Sequence, residues 1–158
     1  PIKINSIRSI ILFCFITIQI IYPLRPIIFN KDVAWNRQGY NFTWRMMLNN
    51  YEPIYFQFLV SFKNSNLNYH VDFSKLLTYR QFYHAYHDPY LIWILSQKLK
   101  KDAVLKYKNQ DVKIYCKSLF ELNQHKPQEL IDSNIDLSLT KYNHFKKNNF
   151  INNFNQDN

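Results

Sequence analysis

His84 and His87, followed at once by Asp88, are the residues in this 158-residue chain whose types and spacing first suggest shared chemistry. Zinc needs three or four converging ligands, and a histidine pair at a helix boundary supplies only two. With no further cluster to complete the set, no metal site is expected. A single glycine, Gly39, excludes a glycine-rich phosphate loop, and no serine or cysteine stands in a hydrolase nucleophile motif. Cys14 lies in an apolar run and Cys116 in an expected strand, a placement that predicts two free thiols. Asn41–Phe42–Thr43 satisfies the N-glycosylation pattern and is read as a chance match.

The richest mixture of rings and charges runs from Pro26 to Leu48, where Trp35, Tyr40 and Trp44 alternate with Lys31, Asp32, Arg37 and Arg45. Two readings of it stand side by side. Trp and Tyr pair an apolar ring with a polar N–H or O–H, which suits the boundary between lipid and water. Equally, the same rings suit the aromatic half of an ordinary core, with Gly39 allowing a tight turn. The formal net charge of +9 favours anionic lipid heads, nucleic acid or acidic substrates. Its lysines are spread over expected helix faces and loops without a nucleic-acid motif, so they are read as solvated surface and no nucleic-acid partner is expected.

The elements that must position these residues follow from patterning. From Ile7 to Tyr22 the run IRSIILFCFITIQIIY predicts one membrane helix, with Lys3 and Arg8 reaching to one side and Tyr22 anchoring the other. A signal peptide would need small residues before a cleavage site, which Ile20 to Arg25 lacks. Pro23 and Pro26 are expected to end the helix, giving a membrane segment over 1–25. The chain starts at Pro1 and enters the apolar run almost immediately, so a fragment of a longer protein is expected.

Ile54 to Phe62 and Leu67 to Phe73 read as a hairpin across the turn residues 64–68. Thr78 caps a short helix, and Asp88–Pro89 starts a longer one to about Asp102, with Leu91, Ile92, Leu95 and Leu99 on its apolar face and Lys98, Lys100 and Lys101 in its last turn. Lys113 to Leu122 alternates as a strand with one buried side, Ile114, Cys116, Ser118 and Phe120 on one face and Tyr115, Lys117, Leu119 and Glu121 on the other. A turn at 123–126 and a short extended return to Leu137 close the domain over 26–137. The Asn-rich remainder, 138–158, is expected to be a disordered tail. The fold class is α+β: one N-terminal membrane helix, then antiparallel strands with two or three helices.

Three segments carry a resemblance. Trp35 to Leu48, WNRQGYNFTWRMML, resembles the W-x-x-x-G-x-x-F-S/T-W-R-M-M-L segment of the vitamin K-dependent γ-glutamyl carboxylase family, which there follows the last membrane helix and opens the lumenal or periplasmic domain. Leu77–Thr78–Tyr79–Arg80–Gln81 is similar to the family's L-T-x-R-Q helix start. Ser118 to Leu137 is similar to its S-L-N-G-R-x-P-Q-x-L-I-D-P-x-V-D-L segment, near the glutamate-substrate site, matching at Asn123, Pro127, Gln128, Leu130, Ile131, Asp132, Asp136 and Leu137. Gln124, His125 and Ser133 stand where the family commonly has glycine, arginine and proline.

The resemblance implies an integral membrane enzyme that uses reduced vitamin K (the hydroquinone), O2 and CO2 to convert peptide glutamate into γ-carboxyglutamate. Its catalytic lysine and histidine belong to upstream membrane helices, and no residue of this chain matches them. This chain would then be the last membrane helix and the extracytoplasmic, substrate-side domain, inactive by itself, with a glutamate-containing peptide or protein, the membrane and those upstream helices as partners. By position, Tyr115, Leu119 and Asn123 would face substrate, while Trp35, Trp44 and Arg45 would fix the domain against the membrane part. The alternative is a singly anchored extracytoplasmic module that binds peptide or anionic lipid without catalysis.

Overall fold

The computed structural model describes residues 6–29, 33–40, 43, 50–63, 68–108, 111–144 and 146–155. Helix α1, Ser6–Phe29, contains the stretch Ile7–Leu24, which is long and apolar enough to cross a membrane and buries none of its residues in the rest of the chain. Contrary to the expected stop, α1 runs through both Pro23 and Pro26. Each proline removes one i to i−4 hydrogen bond, at the carbonyls of Gln19 and Tyr22, but its fixed φ is a helical one, and membrane-type helices tolerate the loss.

After the four-residue helix α2, Val33–Asn36, come strands β1 (Tyr51–Phe62) and β2 (Asn68–His70), helices α3 (Tyr79–Tyr86) and α4 (Pro89–Tyr107), and strands β3 (Val112–Leu122) and β4 (Gln128–Glu129). The strands form one antiparallel sheet in the order β2-β1-β3-β4, so the fold is α+β. β1 pairs with β3 from Tyr51 opposite Leu122 to Phe62 opposite Val112, with one irregularity between Pro53 and Tyr55, beside a proline that cannot donate to the ladder. The expected hairpin is present as β1–β2, and its turn residues 64–67 lie outside the described residues.

Alternation decides which face of the sheet is inside. Phe58, Val60 and Phe62 of β1 and Ile114, Cys116 and Phe120 of β3 are buried, and α4 contributes Ile92, Leu99 and Ala103 to the same core. Both cysteines are free, Cys14 exposed on α1 and Cys116 buried. The helix starts are formed by local chemistry: Thr78 and Gln81 make a reciprocal capping box, and the Asp88 carboxylate accepts from the Tyr90 N–H at 2.8 Å with Pro89 in the first turn. α4 continues to Tyr107, past the expected end near Asp102. Lys98, Lys100 and Lys101 are therefore mid-helix, and Lys100 donates to the Ser138 carbonyl at 3.0 Å.

The expectation of a disordered tail from 138 is overturned. Phe150 and Ile151 are each only 2% exposed, and Ile151 pairs with Ile131 in an antiparallel bridge. Between them and β3, the 3-10 turn Leu137–Leu139 is fastened to α4 by Gln97 and by the Trp93 indole, which donates to the Thr140 carbonyl at 3.1 Å. The β3–β4 turn also has its own chemistry. Asn123 and Gln124 both take left-handed backbone, φ 51° and 67°, and the His125 N–H closes the turn onto the Leu122 carbonyl at 3.0 Å.

Two outcomes follow for stability in urea. Ile151→Ala is expected to cost about 2–4 kcal/mol, the large-to-small core value, where a disordered residue would cost nothing. Gln124→Gly is expected to stabilise by up to about 1 kcal/mol, because it relieves a left-handed side-chain penalty that exceeds glycine's entropic one.

Candidate functional site

The end of α2 turns sharply, and that turn makes one wall of a cleft. Arg37 has left-handed backbone, φ 49°, and its N–H closes onto the Val33 carbonyl at 3.1 Å. Gly39, at φ 74°, is the position where the absence of a Cβ is needed. Trp35 and Asn36 before Arg37 and Gln38 after it are buried, which leaves Arg37 to face outward. The opposite wall is the junction of α3 and α4. The cleft has a volume of about 670 Å³ and is lined by Arg37, Tyr40, His84, His87, Asp88, Tyr90 and Leu91.

Arg37 is the cleft's fixed positive charge. Its guanidinium lies 4.6 Å from the centre of the Tyr51 ring and 5.6 Å from that of Tyr40, a cation–π arrangement that holds the head group without neutralising it. Among the described residues it has no ion pair. Beneath it, Tyr51 stacks on Phe120 at 4.7 Å, and its buried hydroxyl has no hydrogen-bond partner among the described residues. Burial pushes that phenol far above its ordinary range, against the pull of Arg37, so Tyr51 is a neutral support and not a proton donor at neutral pH.

His87 is held on the opposite side, its Nδ1–H donating to the Tyr83 carbonyl at 2.7 Å. Burial lowers its pKa below the ordinary 6.5, and the positive charges of Arg37 and His84 push the same way, against backbone hydrogen bonds to Tyr83 and Tyr51. Tyr142, behind Tyr90 with ring centres 4.9 Å apart, has its phenol pushed up to about 12 by burial. Among the described residues the cleft therefore presents one guanidinium without an ion pair, beside tyrosine and histidine rings and the Asp88 carboxylate. The guanidinium suits a carboxylate bound by charge-assisted hydrogen bonds.

The residues singled out in the sequence fall in different places. His84, His87 and Asp88, set aside as metal ligands, belong to the cleft. Tyr115 and Leu119 lie on β3 positions that alternate with its buried face, and neither they nor Asn123 line the cleft. Asn123 is engaged in the fold: its side-chain oxygen accepts from the Asn50 N–H and its own N–H donates to the Asn50 carbonyl, both at 2.8 Å. Trp35 is 1% exposed, donates from its indole to the Asn152 carbonyl at 3.1 Å and packs against Tyr51 and Phe154, so its ring is spent inside the domain instead of against a membrane part. Trp44 and Arg45 lie outside the described residues. Arg37 was seen in the sequence only as one charge among several. Its neighbour Gly39 was the available signal, since a lone glycine two residues on marks a turn that can turn a side chain outward.

Compared with known proteins, the chain matches one family model, described as the vitamin K-dependent gamma-carboxylase, lumenal domain, over residues 4–157. No curated protein and no solved structure matches it. A lumenal-domain match and an exposed apolar helix are together consistent with a membrane-anchored protein.

The depressed pKa of His87 sets a pH dependence. Folding keeps this imidazole neutral, whereas the unfolded chain protonates it near pH 6.5. Its contribution to stability is therefore complete above about pH 6.5, declines as the pH falls below that value and levels off beneath the folded-state pKa. Urea midpoints between pH 7.5 and 5 are expected to fall in the wild type and to fall less in His87→Gln.

Proposed function

Because the chain belongs to the family of vitamin K-dependent gamma-carboxylase lumenal domains, we propose that it is the extracytoplasmic, substrate-side part of a membrane enzyme that converts peptide glutamate into γ-carboxyglutamate. The observation that carries the reading from family to chemistry is the half-buried guanidinium of Arg37, without an ion pair among the described residues, in a cleft lined also by Tyr40, Tyr90, Leu91, two imidazoles and the Asp88 carboxylate.

The reaction explains why such a group is useful. Removing a proton from the carbon beside a carboxylate places a second negative charge on a group that already has one. A guanidinium holding that carboxylate both orients the side chain and offsets the charge as it develops, which is where preorganised electrostatics contribute most. Arg37 would bind the glutamate γ-carboxylate, Tyr40 and Tyr90 would flank the side chain, and His87, held neutral, would leave the guanidinium as the group that takes the charge. Tyr115 and Leu119, on the opposite face of the sheet, are proposed to contact the peptide away from the reacting glutamate.

Reduced vitamin K, with O2 and CO2, supplies the strong base and the new carboxyl group in this reaction. The described residues do not fit the quinol well: the cleft sets Arg37 and Asp88 among its rings, and the pocket between Phe73, Leu77, Leu95 and Leu99, which Lys98 and Asp102 also line, holds only about 10 Å³. We place that cofactor with membrane helices outside this chain, α1 being the segment that joins them to the lumenal part.

The test is binding. The protein in lipid nanodiscs is titrated with a blocked glutamate peptide and with its glutamine counterpart. The glutamate peptide is expected to bind more tightly, and Arg37→Ala to lose roughly tenfold or more of that affinity, as expected for a lost charge-assisted hydrogen bond. Equal affinity for the two peptides, unchanged in Arg37→Ala, would refute the reading. For the activity itself, the chain joined to its membrane helices should incorporate labelled CO2 into the glutamate peptide only when reduced vitamin K is supplied.

A further inference from the structure

Arg37 stands on backbone that is intrinsically unfavourable for it. A non-glycine residue in the left-handed region costs on the order of 1 kcal/mol, and it persists only where its surroundings over-determine it. Those surroundings are buried polar bonds on the side of the turn away from the cleft. The Gln38 N–H donates to the Asn36 side-chain oxygen at 3.0 Å. The Gln38 side chain reaches the C-terminal segment, where its oxygen accepts from the Asn148 N–H at 3.3 Å and its amide donates to the Lys146 carbonyl at 3.5 Å.

The loop that receives Gln38 keeps its own shape. The Asn143 N–H donates to the Asn148 side-chain oxygen at 2.7 Å, and the Asn148 amide donates back to the Asn143 carbonyl at 3.0 Å. Gln38 also hydrogen-bonds the hydroxyl of Tyr142, whose ring backs Tyr90 on the far wall of the cleft. One buried side chain thus meets the support of both walls. A hydrocarbon would fill the same space, so packing alone does not call for an amide there.

We propose that Gln38 is a positioning residue for Arg37: by fastening the turn 36–39 to the loop 143–148, it fixes where the guanidinium meets a ligand's carboxylate. This rests on the reading of the cleft as a carboxylate site. Gln38 touches no ligand itself and acts only through its neighbour. The C-terminal segment is thereby part of the binding apparatus as well as of the core.

A double-mutant cycle tests it, read as the ratio of affinities for the glutamate and glutamine peptides in the nanodisc-held protein. Gln38→Leu keeps the volume and removes the bonds. It is expected to lower the glutamate-over-glutamine preference about tenfold while leaving glutamine-peptide binding unchanged, and adding it to Arg37→Ala is expected to cost nothing more. A loss shared equally by both peptides, or losses that add in the double variant, would reduce Gln38 to a structural role and overturn the proposal. Thermal melting checks that Gln38→Leu is folded. If it is not, Asn148→Ala, which loosens the receiving loop and leaves Gln38 in place, must show the same selective loss or the proposal fails. The two readings separate cleanly. If Arg37→Ala keeps the preference, both fall; if Arg37→Ala loses it and Gln38→Leu keeps it, only the positioning role falls.

Discussion

The pairing of β1 with β3 is the constraint on which the domain depends. Tyr51 lies opposite Leu122 and Phe62 opposite Val112, so two strands far apart in sequence must meet along their full length. The entropy lost in closing that loop is recovered only when the inner face is covered. α3 and α4 lie within the closed loop, and α4 covers the face with a single stripe of apolar and small residues. The Asn50–Asn123 bonds lock the open end of the pair, which is also where Tyr51 carries Arg37 over its ring. Core register and site geometry therefore share one end of the sheet.

The elements with strong local chemistry were legible in the sequence. β3 alternates without interruption from Val112 to Leu122, and Thr78 with Gln81 and Asp88 with Pro89 are start signals whose bonds close within three residues. The failures came where the deciding partner was remote. No periodicity announces that Phe150 and Ile151 enter the core, because that segment is irregular and is held by single side chains and by bonds to residues more than a hundred positions away, such as Trp35 to Asn152. Pro23 and Pro26 were read by a rule for helices in water, whereas α1 is long and apolar enough to cross a membrane. The family's segments were read as segments, yet the third of them contains the end of a strand and a left-handed turn with Gln124 in a conformation glycine would favour.

The site departs from local rules where function would require it. Arg37 has a backbone conformation that its residue type disfavours, Tyr51 buries a hydroxyl without a partner among the described residues, and His87 is kept neutral beside a cation. Each departure is compensated by structure around it, a pattern expected of a place selected for something other than stability. None of the three is visible in composition or spacing, since each depends on which distant groups fold against it.

The short link between α1 and the domain sets a reach. α1 ends at Phe29, and Val33, fully buried, begins α2; four steps of extended chain span at most about 14 Å. With α1 in a bilayer, the cleft four residues further on is leashed close to the headgroups. Its ligands would be met at the surface, in a layer about as deep as one small domain, where the concentration that matters is counted per area of membrane and not per volume of solution. A peptide that itself adheres to lipid would then be enriched at the cleft before any contact with Arg37.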